Sequence, residues 1–207
     1  MIDRGVVKTI FDQLYSDIDG YKVSALGRAR SDSKNKTLTY GEVAPDSFFQ
    51  ILSSVSPQAG EVFYDLGSGT GKAVMLAGLS FPFQKVVGVE ILSELSQVAQ
   101  SVLIRYRSEF QKTLPQEYMK QTIDFITKDF FDVDISDADV VFAHCTCFST
   151  ELMVSLSKKL SELKVGARVI TVTQQLNSPL FKLQSSRLYH MAWGNATVWV
   201  YERIVGN

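Results

Sequence analysis

The segment Tyr64-Asp65-Leu66-Gly67-Ser68-Gly69-Thr70-Gly71-Lys72 places three glycines within five residues, after an apolar run and before a helical one. Glycines at that spacing let a backbone turn sharply and approach a ligand with no Cβ in the way. Lys72 then opens a helix whose first amides face the same crevice. A phosphate-binding loop would need Gly-x-x-x-x-Gly-Lys-Ser/Thr, and Ala73 stands where the magnesium-binding hydroxyl belongs. A dinucleotide fingerprint would need glycine at position 72, where lysine obstructs close packing of helix on strand. What remains is an acid, Asp65, two residues ahead of Gly-x-Gly-x-Gly. That pattern suits a ligand with a charged amino-acid end, whose ammonium Asp65 can hold.

A second acid, Glu90, closes the apolar run Val86-Val87-Gly88-Val89, 19 residues beyond Gly71. This is close to the roughly twenty-residue interval at which such folds place a ribose-binding carboxylate. A third acid, Asp129, follows the next apolar run in Thr127-Lys128-Asp129-Phe130-Phe131. There it can accept from an adenine amine while one aromatic ring, Phe130 or Phe131, packs on the base. A ribose acid alone would also fit a nicotinamide cofactor, but with Asp65 and Lys72 the set favours S-adenosylmethionine.

The segment Ala143-His144-Cys145-Thr146-Cys147-Phe148 ends a fourth apolar run. A tetrahedral zinc site needs four ligands, and the only other histidine is His190, so no metal is expected. A Cys-His nucleophile pair is also disfavoured, because adjacent residues at a strand end point apart. The two cysteines are too close for an easy disulfide and read as reduced thiols.

These residues need a sheet to present them. From Glu61 onward, short apolar runs alternate with helical stretches, the pattern of crossover units in a parallel sheet. Strands are expected at Val62 to Leu66, Val86 to Glu90, Thr122 to Lys128, Ala138 to Ala143 and Arg168 to Val172. Helices are expected at Lys72 to Leu79, Leu95 to Glu109 and Glu151 to Leu163, and a terminal hairpin at Ser185 to Ala192 and Ala196 to Ile204. The whole is a doubly wound, mostly parallel, seven-stranded α/β sheet. Residues 59–207 would form this core and residues 1–58 a helical extension and lid. In the extension, Val6, Val7, Ile10, Phe11, Leu14 and Tyr15 recur at helical spacing, Asp46 to Val55 suggests a second helix, and a polar loop runs from about Arg28 to Leu38. The segment from Arg28 to Glu42 is expected to close over bound ligand.

At 207 residues, 45% hydrophobic and 21% charged, the chain has the composition of one ordinary soluble globule. Lys and Arg number 21 against 22 Asp and Glu, so no global positive field favours nucleic acid. No run of roughly 18 apolar residues suggests a membrane span, and charges within the first twelve residues do not suit a signal peptide. A cytoplasmic location is expected.

Beyond these motifs, the chain resembles the disruptor-of-telomeric-silencing-like histone lysine methyltransferases. Tyr40-Gly41-Glu42 followed by Phe48 resembles that family's loop over the methionine end of the cofactor. Asp65-Leu66-Gly67-Ser68-Gly69 resembles its glycine loop, Gly88-Val89-Glu90 its ribose acid, Asp129-Phe130 its adenine pair, and Ala192-Trp193-Gly194 through Tyr201 its closing strands. The resemblance implies a class I methyltransferase fold, S-adenosylmethionine as cofactor and a protein lysine as acceptor. It implies cofactor contacts from Tyr40, Glu42, Asp65, Gly67, Ser68, Gly69, Gly71, Lys72, Glu90, Asp129, Phe130 and His144. On the acceptor side it implies Tyr40, His144 and Phe148, with Trp193 a further candidate wall. At His144 the family usually presents asparagine, a departure that bears on lysine specificity. A small-molecule acceptor, suggested by the lack of a long basic tail, and a noncatalytic cofactor-binding module are the other functions to weigh.

Overall fold

The computed structural model describes residues 1–30 and 41–206, excluding the side chain of Arg30. Its centre is one seven-stranded sheet made of β1 (Val62–Leu66), β2 (Lys85–Glu90), β3 (Thr122–Thr127), β4 (Val140–Ala143), β5 (Arg168–Val172), β6 (Phe181–Met191) and β7 (Gly194–Arg203). The spatial order is β3-β2-β1-β4-β5-β7-β6. The first five strands are parallel, while β7 runs antiparallel to β5 and pairs with β6. The chain reverses its winding between β1 and β4, and open sheets form their ligand crevice at the carboxyl ends beside such a reversal.

Around the sheet lie α1 (Arg4–Tyr15), α2 (Gly20–Arg30), α3 (Pro45–Ser53), α4 (Lys72–Ser80), α5 (Ser93–Glu109), the single turn α6 (Gln116–Met119) and α7 (Thr150–Lys159). Side chains alternate between the two faces as strand geometry requires. Phe63 and Phe142 join the apolar cluster under α1, α3, α4 and α5, while Tyr64, Leu66, Val141 and Ala143 join the cluster under α7. Asp65 shares the side of Phe63 and pairs in register with Gly88 on one flank and Phe142 on the other.

Helices α1 and α3 lie within the main cluster: Val7, Ile10, Phe11 and Leu14 are buried with Phe48, Ile51, Leu52 and the sheet residues Phe63 and Phe142. Asp3 caps α1 by accepting from the amides of Gly5 and Val6, and Pro45 opens α3 at a position where a missing N–H costs nothing. The residues between Tyr15 and Arg28 carried no helical apolar pattern, yet α2 covers most of them and continues through Arg30, into the span expected to be loop. Its buried face is a stripe of small residues, Gly20, Ser24 and Gly27. At Gly27 a Cβ would stand 3.2 Å from Glu94 Oε2 of α5, so close approach takes the place of apolar bulk.

Several boundaries differ from expectation, three of them instructively. β4 begins at Val140, because the expected first residue, Ala138, closes a turn by donating its amide to the Ile135 carbonyl at 3.0 Å. α7 ends at Lys159 and passes into a 3-10 turn over Leu160–Glu162. The hairpin strand β6 starts at Phe181, four residues ahead of the expected Ser185. No helix among the described residues is long and apolar enough to cross a membrane.

Candidate functional site

The glycine loop leaves β1 with Gly67, Gly69 and Gly71 all at positive φ, 87°, 56° and 82°. At Gly71 a Cβ would meet Phe125 Cζ at 2.4 Å, so packing and backbone conformation both demand glycine there. Glu90, at the end of β2, fixes the loop from the side: its Oε2 accepts from the Gly69 amide at 2.8 Å and its Oε1 from the Leu92 amide at 2.9 Å. Burial raises the Glu90 carboxyl above its ordinary value, and these two amides offset part of that rise. Tyr15 of α1 supports the loop from beneath by donating its hydroxyl to the Thr70 carbonyl at 3.1 Å.

Three residues that line the cavity beside this loop each carry a buried polar atom without a partner among the described residues. Asp65 Oδ1, Ser68 Oγ and His144 Nε2 are buried with no hydrogen-bond partner among the described residues, and all three residues line one cavity with Gly41, Glu42 and Lys72. Burial, and after it the nearby Glu90 charge, push the Asp65 carboxyl well above the usual carboxylate range. Burial pulls His144 down to about 4, so its imidazole is neutral at physiological pH. Leaving such atoms unpaired inside a protein costs about 1–3 kcal/mol each. Three of them around one space define a site shaped for a polar ligand.

Residues 41–44 form a strap across the cavity. Gly41 passes so close to β4 that a Cβ would lie 2.9 Å from His144 Cε1 and 3.3 Å from Trp193 Nε1. Glu42 Oε2 accepts from Lys72 Nζ at 2.6 Å, with both side chains mostly buried. Trp193, at the tip of the β6–β7 hairpin, meets His144 edge-on with ring centroids 5.9 Å apart. The base of that hairpin tip is pinned to α3, where Ser47 Oγ donates to the His190 carbonyl at 2.5 Å.

Asp129 stands after β3 and caps a 3-10 turn at Phe130–Asp132, its Oδ1 accepting from the Phe131 amide at 3.0 Å. Phe130 stacks on Phe148 with centroids 6.2 Å apart and planes within 16°. Residues expected at the adenine and at the acceptor thus form one aromatic wall. Gly41, Glu42, Asp65, Gly67, Ser68, Lys72 and His144 line the cavity itself, whereas Glu90, Asp129, Phe130 and Phe148 flank it on neighbouring strand ends. Tyr40 and positions 31–40 of the expected lid lie outside the described residues. Burial pushes the Cys145 thiol far up, which makes it inert, and no group of three metal-ligating side chains occurs among the described residues.

One residue of this region was missed by sequence reasoning. Thr173, directly after β5, adopts φ 70°, and the Gln174 amide donates to the Val172 carbonyl at 2.9 Å, closing a γ-turn around it. That turn form is rare and strained, above all for a β-branched residue. It is held by Trp199 Nε1 donating to the Thr173 carbonyl at 3.3 Å and by a 3.0 Å hydroxyl pair between Thr173 and Thr146. Nothing in residue type or spacing marks it, since threonine is ordinary at strand ends.

Sheet order, reversal point and glycine loop together define the class I methyltransferase fold. Solved proteins of that class superpose on the chain. An RNA methyltransferase from Salinibacter ruber in complex with S-adenosyl-L-homocysteine gives a TM-score of 0.57 at 21% identity, covering 78% of this chain and 93% of that one. A putative RNA methyltransferase from Pyrococcus horikoshii gives 0.61 at 15% identity, covering 99% and 98%. Residues 25–192 match the family model described as histone methylation protein DOT1, and the chain belongs to that family. Among similar relatives are H3 lysine-79 specific histone-lysine N-methyltransferases. That of Caenorhabditis elegans is 31% identical over 66% of this chain and 15% of its own length, and that of Debaryomyces hansenii 28% identical over 90% and 16%. That of Aspergillus fumigatus is 24% identical over 94% of this chain and 40% of its own length. The chain therefore spans well under half the length of these relatives.

Proposed function

We propose that the protein transfers the methyl group of S-adenosylmethionine to the side-chain amine of a lysine in a protein. The observation that carries this reading is that Asp65, Ser68 and His144, each with a buried polar atom lacking a partner among the described residues, line one cavity at the β1/β4 reversal. Asp65 and Glu90, two buried carboxyls held above their ordinary range, favour a ligand that brings positive charge. Asp65 and Ser68 suit the amino-acid end, Glu90 the ribose hydroxyls, and Asp129 with Phe130 the adenine. When bound, the cofactor supplies an already activated methyl on a sulfonium, so the protein's task is alignment and exclusion of water.

A lysine acceptor must lose a proton first, which at pH 7 costs about 4–5 kcal/mol from a pKa near 10.4. Passing that proton to His144, held at about 4, would cost about 9 kcal/mol, so release to solvent is the cheaper route. His144 is instead suited to accept a hydrogen bond at Nε2 without adding charge beside the incoming amine. Phe148 and Trp193 are suited to be apolar walls that disfavour the ammonium and offset part of the cost.

Support for a protein acceptor comes from membership of the family and from relatives named for histone H3 lysine. The test is transfer from methyl-labelled S-adenosylmethionine to core histones, to nucleosomes and to a metabolite extract. Label recovered as methyl-lysine after protein hydrolysis is the expected result. Label confined to small molecules would replace this acceptor with another, and none anywhere would leave a binding module.

A further inference from the structure

The strap carries an ion pair that the transfer reaction does not require. Lys72 opens α4, where the helix dipole is positive, and the first turn of α4 holds no acid. Gly71 at the N-cap offers no side-chain oxygen to the first amides. Two sources of positive potential thus face the same point, and Glu42 delivers a carboxylate to it at 2.6 Å, with Lys72 also lying over the Tyr15 ring at 5.5 Å from its centroid. Side-chain exposures of 17% for Lys72 and 13% for Glu42 place the pair out of bulk water, where it is little screened. In the same cavity lies the buried Asp65 Oδ1, which has no partner among the described residues and is suited to an ammonium. An anion site and a cation site side by side fit the two charged groups of a free amino-acid end. The space between strap and loop is about 30 Å³, room for about two waters, so that end can enter only if the strap shifts.

We propose that Glu42 is a built-in stand-in for the ligand's carboxylate: it holds Lys72 in the free protein, and the ligand's own carboxylate displaces it, releasing the strap to reseat over the occupied cavity. This rests on the reading of the cavity as a cofactor site. The exchange replaces one carboxylate on Lys72 by another, so no buried ammonium is left unpaired at either end. Its consequence is self-competition. A pair formed about nine-tenths of the time lowers the apparent affinity for a carboxylate-bearing ligand about tenfold and leaves a ligand without a carboxylate unaffected.

Titration calorimetry on the full chain tests this with two probes, S-adenosylhomocysteine and 5′-methylthioadenosine, which share nucleoside and thioether but differ in the amino-acid end. In Glu42→Gln, which keeps the strap's shape, S-adenosylhomocysteine should tighten about tenfold while 5′-methylthioadenosine is unchanged. In Lys72→Met the preference for S-adenosylhomocysteine over 5′-methylthioadenosine should narrow, because the carboxylate has lost its receptor while Asp65 still holds the ammonium. Unchanged or weaker S-adenosylhomocysteine binding in Glu42→Gln overturns the proposal, as does equal tightening of both probes. Failure of the unaltered protein to bind either probe would sink the cofactor-site reading itself, a distinct outcome.

Discussion

The Glu90 carboxylate and the Gly69 amide meet at 2.8 Å, so the residue at the end of β2 proposed to take the ribose hydroxyls also shapes the glycine loop. The two roles predict different costs. Glu90→Ala removes both and should weaken S-adenosylhomocysteine about a hundredfold or more, equivalent to roughly 3 kcal/mol. Glu90→Gln can accept from only one of the Gly69 and Leu92 amides, leaving a buried donor unpaired at about 1–3 kcal/mol. It should lower the melting temperature as well as the affinity. Calorimetry and a melting curve on the same samples measure both, and full affinity in Glu90→Ala would remove Glu90 from the site.

Asp65 should show function traded against stability. With its carboxyl held well above the usual range, the folded state keeps a proton that the unfolded chain loses, so its contribution to stability declines as pH rises from the unfolded value near 3.8 through the folded one. Asp65→Asn removes that loss, and each ~1 kcal/mol regained should raise the melting temperature by about 2–4 °C at pH 7. The same variant should lose ligand binding. In the unaltered protein, binding should release a proton as Asp65 ionises beside the ammonium, read as a dependence of calorimetric heat on buffer.

His144 predicts the opposite slope. Held down to about 4 by burial, it stays neutral in the fold while the unfolded chain protonates near 6.5. Stability should therefore fall as pH drops from about 6.5 to about 4, by on the order of 3 kcal/mol at the low end. In His144→Asn that part of the slope should vanish in urea melts taken at several pH values. An unaltered slope would mean the imidazole is solvated.

The strained γ-turn at Thr173 gives a fourth outcome. Thr173→Gly relieves backbone strain worth of order 1–3 kcal/mol, less the entropy that glycine loses on folding. The variant should be at least as stable as the parent. If the strain serves to hold Thr173 against Thr146 beside the acceptor wall, transfer to protein should fall severalfold while S-adenosylhomocysteine affinity stays constant. Undiminished transfer would reduce the turn to a strand terminator.

How much of this was legible depends on how local each determinant is. β1 and β5 fall where their apolar runs end, and three acids at successive strand ends marked one edge of the sheet because a parallel sheet places those ends together. Helix α2 was invisible because its buried face is Gly20, Ser24 and Gly27, which carry no hydrophobic period. The pairing of Lys72 with Glu42 joins residues thirty positions apart, and that of Glu90 with Gly69 joins residues twenty-one apart; neither follows from spacing. The γ-turn at Thr173 is a backbone conformation with no signature in residue type.

In the proposed function the cavity over the glycine loop binds the S-adenosyl ligand through Asp65 and Glu90. Titration of S-adenosylhomocysteine into the full chain, with NAD as the parallel ligand, tests it most directly. A single site with affinity on the order of micromolar, typical of enzyme ligands, and no heat from NAD is the expected result. Saturable binding of NAD with none of S-adenosylhomocysteine would contradict it.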